Sequence, residues 1–520
     1  MSVLLDLCVT GVLGTAISVV YWLLKHWWID AQYGWYLPPG PRRIPLLGNA
    51  HQVGLAGQHK TFAEWSKRYG DVVYMRVFSK PALVLNSVEA ARDLLDKRSA
   101  KYSDRPHFTL LVDMFGSDPN PALMPYGPWW RQHRVWLHAG LMDKESLSMY
   151  QPIIRSETGK LVSALIKSPD DFVAHIKRFV GGLMMEIAYG HTAVSADDEL
   201  ITLADTVVRE AMDSGSIAGT LVDYFPSLRC IPTWLPGGRF KRRAARIRGM
   251  MREMYDRPYE QAKAAMARGM AKPSFLTSLL ENMAADGDLT PEHEEHLKGA
   301  AIVLYTGGTD TTSAVLATFF LAMTLRPEVA KKAQNEIDRV VGSARLPDFE
   351  DRTSLPYIEC ILSELYRWNP PLYLGVPHRL TADDDYRRWH IPGGSMVIPN
   401  IWWMLRNPGW YSDPDAFHPE RFQEVDSSLA EKSPRNLVFG FGRRICPGRQ
   451  LADQTLWLAI ATILTMFDIR RARDAQGNEI TPEAVFVSGG ISHPKPFRCD
   501  IRLRSQDAAG LVRKFSGGVT

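Results

Sequence analysis

Residues 439–449, FGFGRRICPGR, hold one cysteine, Cys446, among three glycines and three arginines, just ahead of an apolar run at 450–464. A single thiol in a glycine-framed loop is how a chain offers one sulfur ligand to a metal, because glycines at 440, 442 and 448 let the backbone turn and approach a flat partner closely. Read as a helix, 450–464 puts Cys446 near a helix N-terminus, where free N–H groups and the macrodipole favour an anionic sulfur. A cysteine serving only as a small buried hydrophobe leaves those glycines and Arg443, Arg444 and Arg449 without a purpose. A second reactive group lies in residues 300–325, AAIVLYTGGTDTTSAVLATFFLAMTL, apolar except for a polar knot at 306–313. Gly307 and Gly308 each cost a helix about 1 kcal/mol relative to alanine, and the space they leave over a flat cofactor suits a small gas and a substrate. Asp310 and Thr311 supply an acid and a hydroxyl able to relay protons, whereas in a lipid-spanning helix Asp310 would be expensive.

Two further pairs depend on helical spacing. Glu364 and Arg367 in SELYR stand one turn apart and can pair. The spacing alone selects nothing, since Glu89/Arg92 and Glu336/Arg339 share it. In YGPWWRQHR, Pro128 can open a helix whose i, i+4 positions put Trp130 and Arg134 on one face.

The elements that must position these groups are mostly helical. Amphipathic stretches at 88–97, 145–167, 197–214, 241–268, 295–325 and 327–341 predict helices. Residues 62–69 read as a short helix, 72–77 with 82–85 as a strand pair, and short strands return near 374–399 and 483–503. The expectation is a mainly α fold with small β-sheets. At 520 residues and 45% hydrophobic content the chain can bury a large core. Its motifs are spread over most of the length and must converge, which predicts one catalytic domain, 50–520, behind an N-terminal segment. Net charge +4 and pI about 8.6 fall short of a nucleic-acid-binding profile. Five scattered cysteines (8, 230, 360, 446 and 499) form no CxxC pair, which excludes the usual zinc and disulfide frameworks and suits a reducing compartment. Residues 3–24 are apolar enough for a transmembrane anchor, assigned to 1–25, with Lys25, His26, Trp27, Trp28, Tyr33, Trp35 and Tyr36 marking the interface and Arg42 and Arg43 the cytosolic side. A cleavable secretory signal competes, although no basic region precedes the apolar run. LPPGPRRIPLLGN, within an aromatic and proline-rich hinge at 26–49, reads as a stiff spacer.

The stretch at 439–449 resembles the signature of the cytochrome P-450 superfamily, filled here at Phe439, Gly442, Arg444, Cys446 and Gly448. That resemblance implies a P-450 fold with heme b, Cys446 as axial thiolate to the iron, Arg444 on a heme propionate and Phe439 shielding the sulfur. Thiolate ligation pushes electron density onto iron and favours O–O cleavage. Residues 307–312 resemble the family's oxygen-activation motif, with glycine at a first position where alanine is common, and imply proton delivery through Asp310 and Thr311. Pro419-Glu420-Arg421-Phe422 resembles the segment whose arginine joins Glu364 and Arg367 in a buried structural triad. Trp130 and Arg134 are implied as propionate partners, and a further partner is expected in VPHR, where His378 holds the usual place and Arg379 also qualifies.

By the same resemblance, the substrate walls fall at 108–123, 211–240, Ala301, Leu304, Tyr305, Gly307, Gly308, 372–376 including Leu374 and Val376, and 487–491 including Val487. These are mostly apolar and imply an apolar small molecule. The chain shows no dinucleotide fold, so electrons are expected from NADPH through a reductase, with cytochrome b5 as a possible second donor. Arg131, Lys432, Arg443 and Arg449 are the docking candidates. The basic run from Arg239 to Arg252 behind YFPSLRCIPTWL reads as a solvated face or a contact with an anionic membrane. PHRLTADDDYRRWHIPGG and NPGWYSDPDAFHPERF look like fungal endoplasmic-reticulum members of secondary metabolism, acting on terpenoids or polyketides. A heme-thiolate isomerase or dehydratase, and a non-catalytic heme sensor, are the competing functions.

Overall fold

The computed structural model describes Tyr21 and residues 36–193, 198–212, 220–234, 238–423, 433–487, 490–505 and 510–511. The chain forms two compact units, one from the residues up to Pro106 with Pro377–Asn400, the other from His107–Val376 with Ile401–Thr520.

The first unit is built on a four-stranded sheet. Strands β1 (Val72–Val77) and β2 (Lys80–Leu85) pair antiparallel, in register from Val72 opposite Leu85 to Val77 opposite Lys80. β1, VVYMRV, is buried along its whole length, so it reads as a continuous run with no two-residue alternation. After β3 (His378–Arg379) and a hairpin of β4 (Asp384–Tyr386) with β5 (Trp389–Ile391), strand β6 (Met396–Pro399) joins the sheet, parallel to β2 and antiparallel to β3. Helix α1 (Gln58–Tyr69) buries Phe62, Ala63 and Trp65. From Tyr36 onward the proline-rich stretch, expected as a stiff spacer, is hydrogen-bonded into this unit. The Tyr74 N–H donates to the Pro39 carbonyl (2.9 Å), Leu37 is buried, and fully buried Asn49 donates to the Pro41 carbonyl (3.1 Å).

The second unit is helical. Its main helices are α2 (Pro128–Leu141), α3 (Lys144–Lys167), α4 (Phe172–Tyr189), α5 (Glu199–Met212), α6 (Arg239–Ala267), α7 (Phe275–Asp286), α8 (Pro291–Leu325), α9 (Pro327–Val340), α10 (Pro356–Trp368), the single turn α11 (Arg435–Val438) and α12 (Arg449–Met466). Strands β7 (Phe467–Arg473), β8 (Glu479–Ile480) and β11 (Cys499–Leu503) form one small sheet, and β9 (Phe486–Val487) with β10 (His493–Pro494) another. α8 begins at Thr290, whose hydroxyl caps the His293 N–H (3.2 Å), with Pro291 in the first turn where its missing donor costs nothing. Through its middle, α8 is buried on most faces.

Among the described residues no single helix is long and apolar enough to cross a membrane; α8 and α9 pass together only as a pair bent by 104°. The anchor expected at 1–25 and its aromatic flank at 27–35 lie outside the described residues, Tyr21 excepted.

Candidate functional site

α11 delivers the chain to Phe439, and the loop from there to Gly448 hangs Cys446 ahead of α12. Gly440 (φ 79°) and Gly442 (φ 56°) take the left-handed backbone that the reversal requires. Inside the loop, Gly440 N–H donates to the Leu437 carbonyl (3.1 Å) and Cys446 N–H to the Phe439 carbonyl (2.8 Å), so the sulfur's position is set by main chain. Gly448 caps α12, and a Cβ there would come no nearer than 4.0 Å to the sulfur. Burial pushes the Cys446 thiol above its ordinary value, against the Gly448 N–H, Arg134 and Arg449, which pull it down. Desolvation therefore outweighs the helix terminus expected to favour the anion, and a metal cation on the sulfur would reverse the balance.

α2 brings two groups to this loop, Trp130 and Arg134. Arg134 donates to the Ile445 carbonyl (2.9 Å). Buried Trp130 carries the Arg444 guanidinium over its ring (4.4 Å) and lies 4.9 Å from the Tyr126 ring. Arg444 also donates to the carbonyls of Pro121 (3.1 Å) and Met124 (2.8 Å). Among the described residues no carboxylate lies within ion-pair distance of Arg134, whose guanidinium burial makes less basic. A half-buried cation without an acidic partner, beside a lone sulfur, fits an iron macrocycle that carries its own carboxylates. Phe439 meets Tyr366 of α10 edge-on (5.5 Å, 71°).

On α8 the two glycines divide. A Cβ at Gly307 would meet nothing within 4 Å, whereas one at Gly308 would come within 2.5 Å of Met184 Sδ on α4. The opening expected from both therefore comes from Gly307 at this level, and Gly308 serves close helix packing. Tyr305, expected as a substrate wall, is a core residue. It is buried, with its hydroxyl donating to Asp205 of α5 (3.2 Å). Leu304 is buried, Leu374 and Val376 are partly exposed, and Val487 is exposed in β9. The Thr311 hydroxyl donates to the Gly307 carbonyl (2.7 Å). Burial raises the Asp310 carboxyl above its ordinary range, partly offset by Lys177 of α4; Asp205 is raised by burial too, with Asp310 adding to it. Asp205 and Lys177 had no signal in the sequence, being over a hundred residues from Asp310.

Glu364, Arg367 and Arg421 come together. Arg367 forks onto Glu364 (2.6 and 2.8 Å), both side chains fully buried, and Arg421 reaches the same carboxylate (3.2 Å). In the first unit, His378 is buried with Nδ1 2.8 Å from the Tyr102 carbonyl, and half-exposed Arg379 pairs with Asp104 (3.1 Å).

One histidine of α2 escaped sequence reading. His133 is fully buried, its Nε2 2.9 Å from His296 Nδ1 on α8, and burial with some contribution from His296 lowers its pKa to about 3. The unfolded chain takes up a proton near pH 6.5 that the folded chain refuses, so this contribution is whole above about 6.5 and fades as pH falls towards about 3. Stability by urea titration is expected to drop by about 2 kcal/mol between pH 7.5 and 5 on this account, and His133→Gln should flatten that slope.

The family profile described as Cytochrome P450 matches residues 38–498. Cytochrome P450 monooxygenase 176 of Postia placenta is 49% identical, covering 98% of both chains, and monooxygenase 136 of the same fungus is 50% identical over 94% of this chain and 93% of its own. Cytochrome P450 monooxygenase claR of Ampulloclitocybe clavipes is 39% identical over 92% of this chain and 88% of its own. Identity of this order along nearly the whole length, with the family profile spanning residues 38–498, makes the chain a member of the cytochrome P450 family and a monooxygenase.

Proposed function

We propose that this monooxygenase inserts one oxygen atom into an apolar small molecule of terpenoid or polyketide type, in fungal secondary metabolism, with electrons from NADPH through a reductase. The balance is RH + O₂ + NADPH + H⁺ giving ROH + H₂O + NADP⁺. The observation that carries the reading is Cys446 on its loop beside Arg134, a cation with no carboxylate in reach among the described residues. Heme bound there supplies electron-rich iron able to activate O₂. The rest is done by the chain: Arg134, Arg444 and Trp130 would hold the propionate side. Gly307 leaves open space on α8 where a substrate could lie. Asp310, raised by burial, can hold a proton at its carboxyl and pass it on through the Thr311 hydroxyl. Leu304, Leu374 and Val376 favour an apolar substrate.

Exposed Arg131 and Arg443, gathered about Tyr126 (5.8 and 5.4 Å), form a basic face for an acidic reductase or for cytochrome b5; Lys432 lies outside the described residues. Endoplasmic-reticulum anchoring through 1–25, with the catalytic chain in the cytosol, completes the proposal. Trp234 (78% exposed) and Leu221 (61%) support a second membrane contact. Two cations of the neighbouring exposed basic run are paired, Arg252 with Glu295 and Arg246 with Glu210.

The test is turnover of terpenoids and aromatic polyketides with NADPH and reductase. Asp310→Asn is expected to keep the Soret shift on substrate binding while product formation falls about 10²-fold. Turnover without NADPH would instead favour an isomerase or dehydratase.

A further inference from the structure

α10 carries a second ionic knot besides the one at Glu364, and it closes around the cysteine loop. Asp453, in the second turn of α12, accepts from Arg435 Nε (2.8 Å) and from Arg352. Glu359 of α10 takes the other edges of the same two guanidinia, from Arg352 Nε (2.7 Å) and Arg435 Nη2 (2.7 Å). Arg435 Nη1 donates to Ser363 (2.8 Å), and the Tyr366 hydroxyl lies 3.4 Å from Asp453. Two cations and two anions thus alternate, each cation shared by both anions. The four side chains are 16–30% exposed, which separates them from surface pairs that solvent makes nearly worthless.

The placement matters more than the strength. Arg435 opens α11, four residues before Phe439, and Asp453 follows Gly448 on α12, so their contact joins the two ends of the segment that holds Cys446. A slide of α11 against α12 would break several charge-assisted bonds together. Tyr366 couples the knot to the loop's interior, since the same ring that reaches Asp453 packs edge-on against Phe439. The Glu364 triad has no such grip; its bonds run to the 405–421 region.

We propose that Asp453 and Arg435 are positioning residues that hold the loop rigid and thereby keep the Cys446 sulfur bound to iron. This rests on Cys446 being the iron ligand, which the wild-type spectrum tests separately. Neither residue touches the reacting atoms.

The experiment uses the full-length holoenzyme as wild type, Asp453→Asn, Arg435→Lys and Asp453→Glu, with Glu157→Gln as control. Glu157 is equally charged and fully buried, but is held by Lys160 and Arg178 on α3 and α4, away from the loop. At urea concentrations that leave circular dichroism unchanged, the loss of the reduced carbon monoxide band near about 450 nm is timed, and hydrogen exchange is read over 436–452. Asp453→Asn and Arg435→Lys are expected to lose the band about tenfold faster than wild type, the factor one charge-assisted hydrogen bond supplies, with faster exchange confined to that segment. Asp453→Glu should recover part of the loss. Glu157→Gln should lower the unfolding midpoint without separating band loss from unfolding. The proposal is overturned if the Asp453 and Arg435 variants lose the band only in step with global unfolding, as the control does; should Asp453→Asn not fold, Arg435→Lys alone decides. A wild type without the band removes the ligand assignment itself.

Discussion

Replacing Cys446 by serine is expected to abolish the absorption near about 450 nm of the reduced, carbon monoxide-treated protein and, with it, NADPH-dependent product formation. The loop geometry does not depend on the sulfur, because Cys446 is held through its own N–H to the Phe439 carbonyl and the turns rest on Gly440 and Gly442. Serine is nearly the same size, so circular dichroism should be little changed and the loss is one of chemistry. A hydroxyl binds iron weakly and cannot push electron density as a thiolate does. Among the described cysteines, Cys446 lies beside Arg134, a guanidinium with no carboxylate within ion-pair distance; Cys360 and Cys499 are buried elsewhere, and burial raises their thiols to about 11 and about 12. An unchanged spectrum in the serine variant would mean that another residue holds the iron.

The second large effect is expected at Glu364. Glu364→Ala leaves Arg367 charged, fully buried and without its carboxylate, and strips the His418 N–H (2.7 Å) of its acceptor. Breaking a buried pair from one side costs about 3–5 kcal/mol, a large part of a domain's total stability. The expected result is a sharp fall in the yield of folded hemoprotein and a lowered urea midpoint. Removing both charges should not restore wild-type stability. Arg367 also donates to the carbonyls of Pro414 (2.7 Å), Ala416 (3.0 Å) and Leu405 (3.3 Å), which an apolar replacement leaves unpaired. A double variant Glu364→Met/Arg367→Met is therefore expected between the single variant and wild type. If Glu364→Ala unfolds at the wild-type urea concentration, the knot is not a structural support.

Reading from sequence went furthest where chemistry was local. The cysteine loop and the acid and hydroxyl on α8 are contiguous and were visible in the sequence, whereas the i, i+3 pair on α10 was singled out only by the Pro419–Phe422 segment downstream. Amphipathic helices were found to within a few residues, as in 145–167 against Lys144–Lys167 and 327–341 against Pro327–Val340. α4, FVAHIKRFVGGLMMEIAY, was not found; its first turns keep Val173, Ala174 and Lys177 exposed, and only from Phe179 onward is nearly every residue buried. Separating Gly307 from Gly308 needed the partner helix, since only Met184 distinguishes them. The hydrogen bond from Tyr305 to Asp205 had no signal either, since the two lie a hundred residues apart. The knot at Asp453 draws on four separate segments and has no pattern within any one of them.

The unlike surroundings of the two adjacent glycines separate folding from selectivity. A methyl group at 307 would strain no neighbour and would recover about 1 kcal/mol of helix propensity. The chain thus gives up that helical stability in exchange for a void the size of one methyl beside the acid and hydroxyl. Position 307 is a place where the shape of the accepted molecule can be retuned at no risk to the scaffold, while the residue after it is fixed by the scaffold.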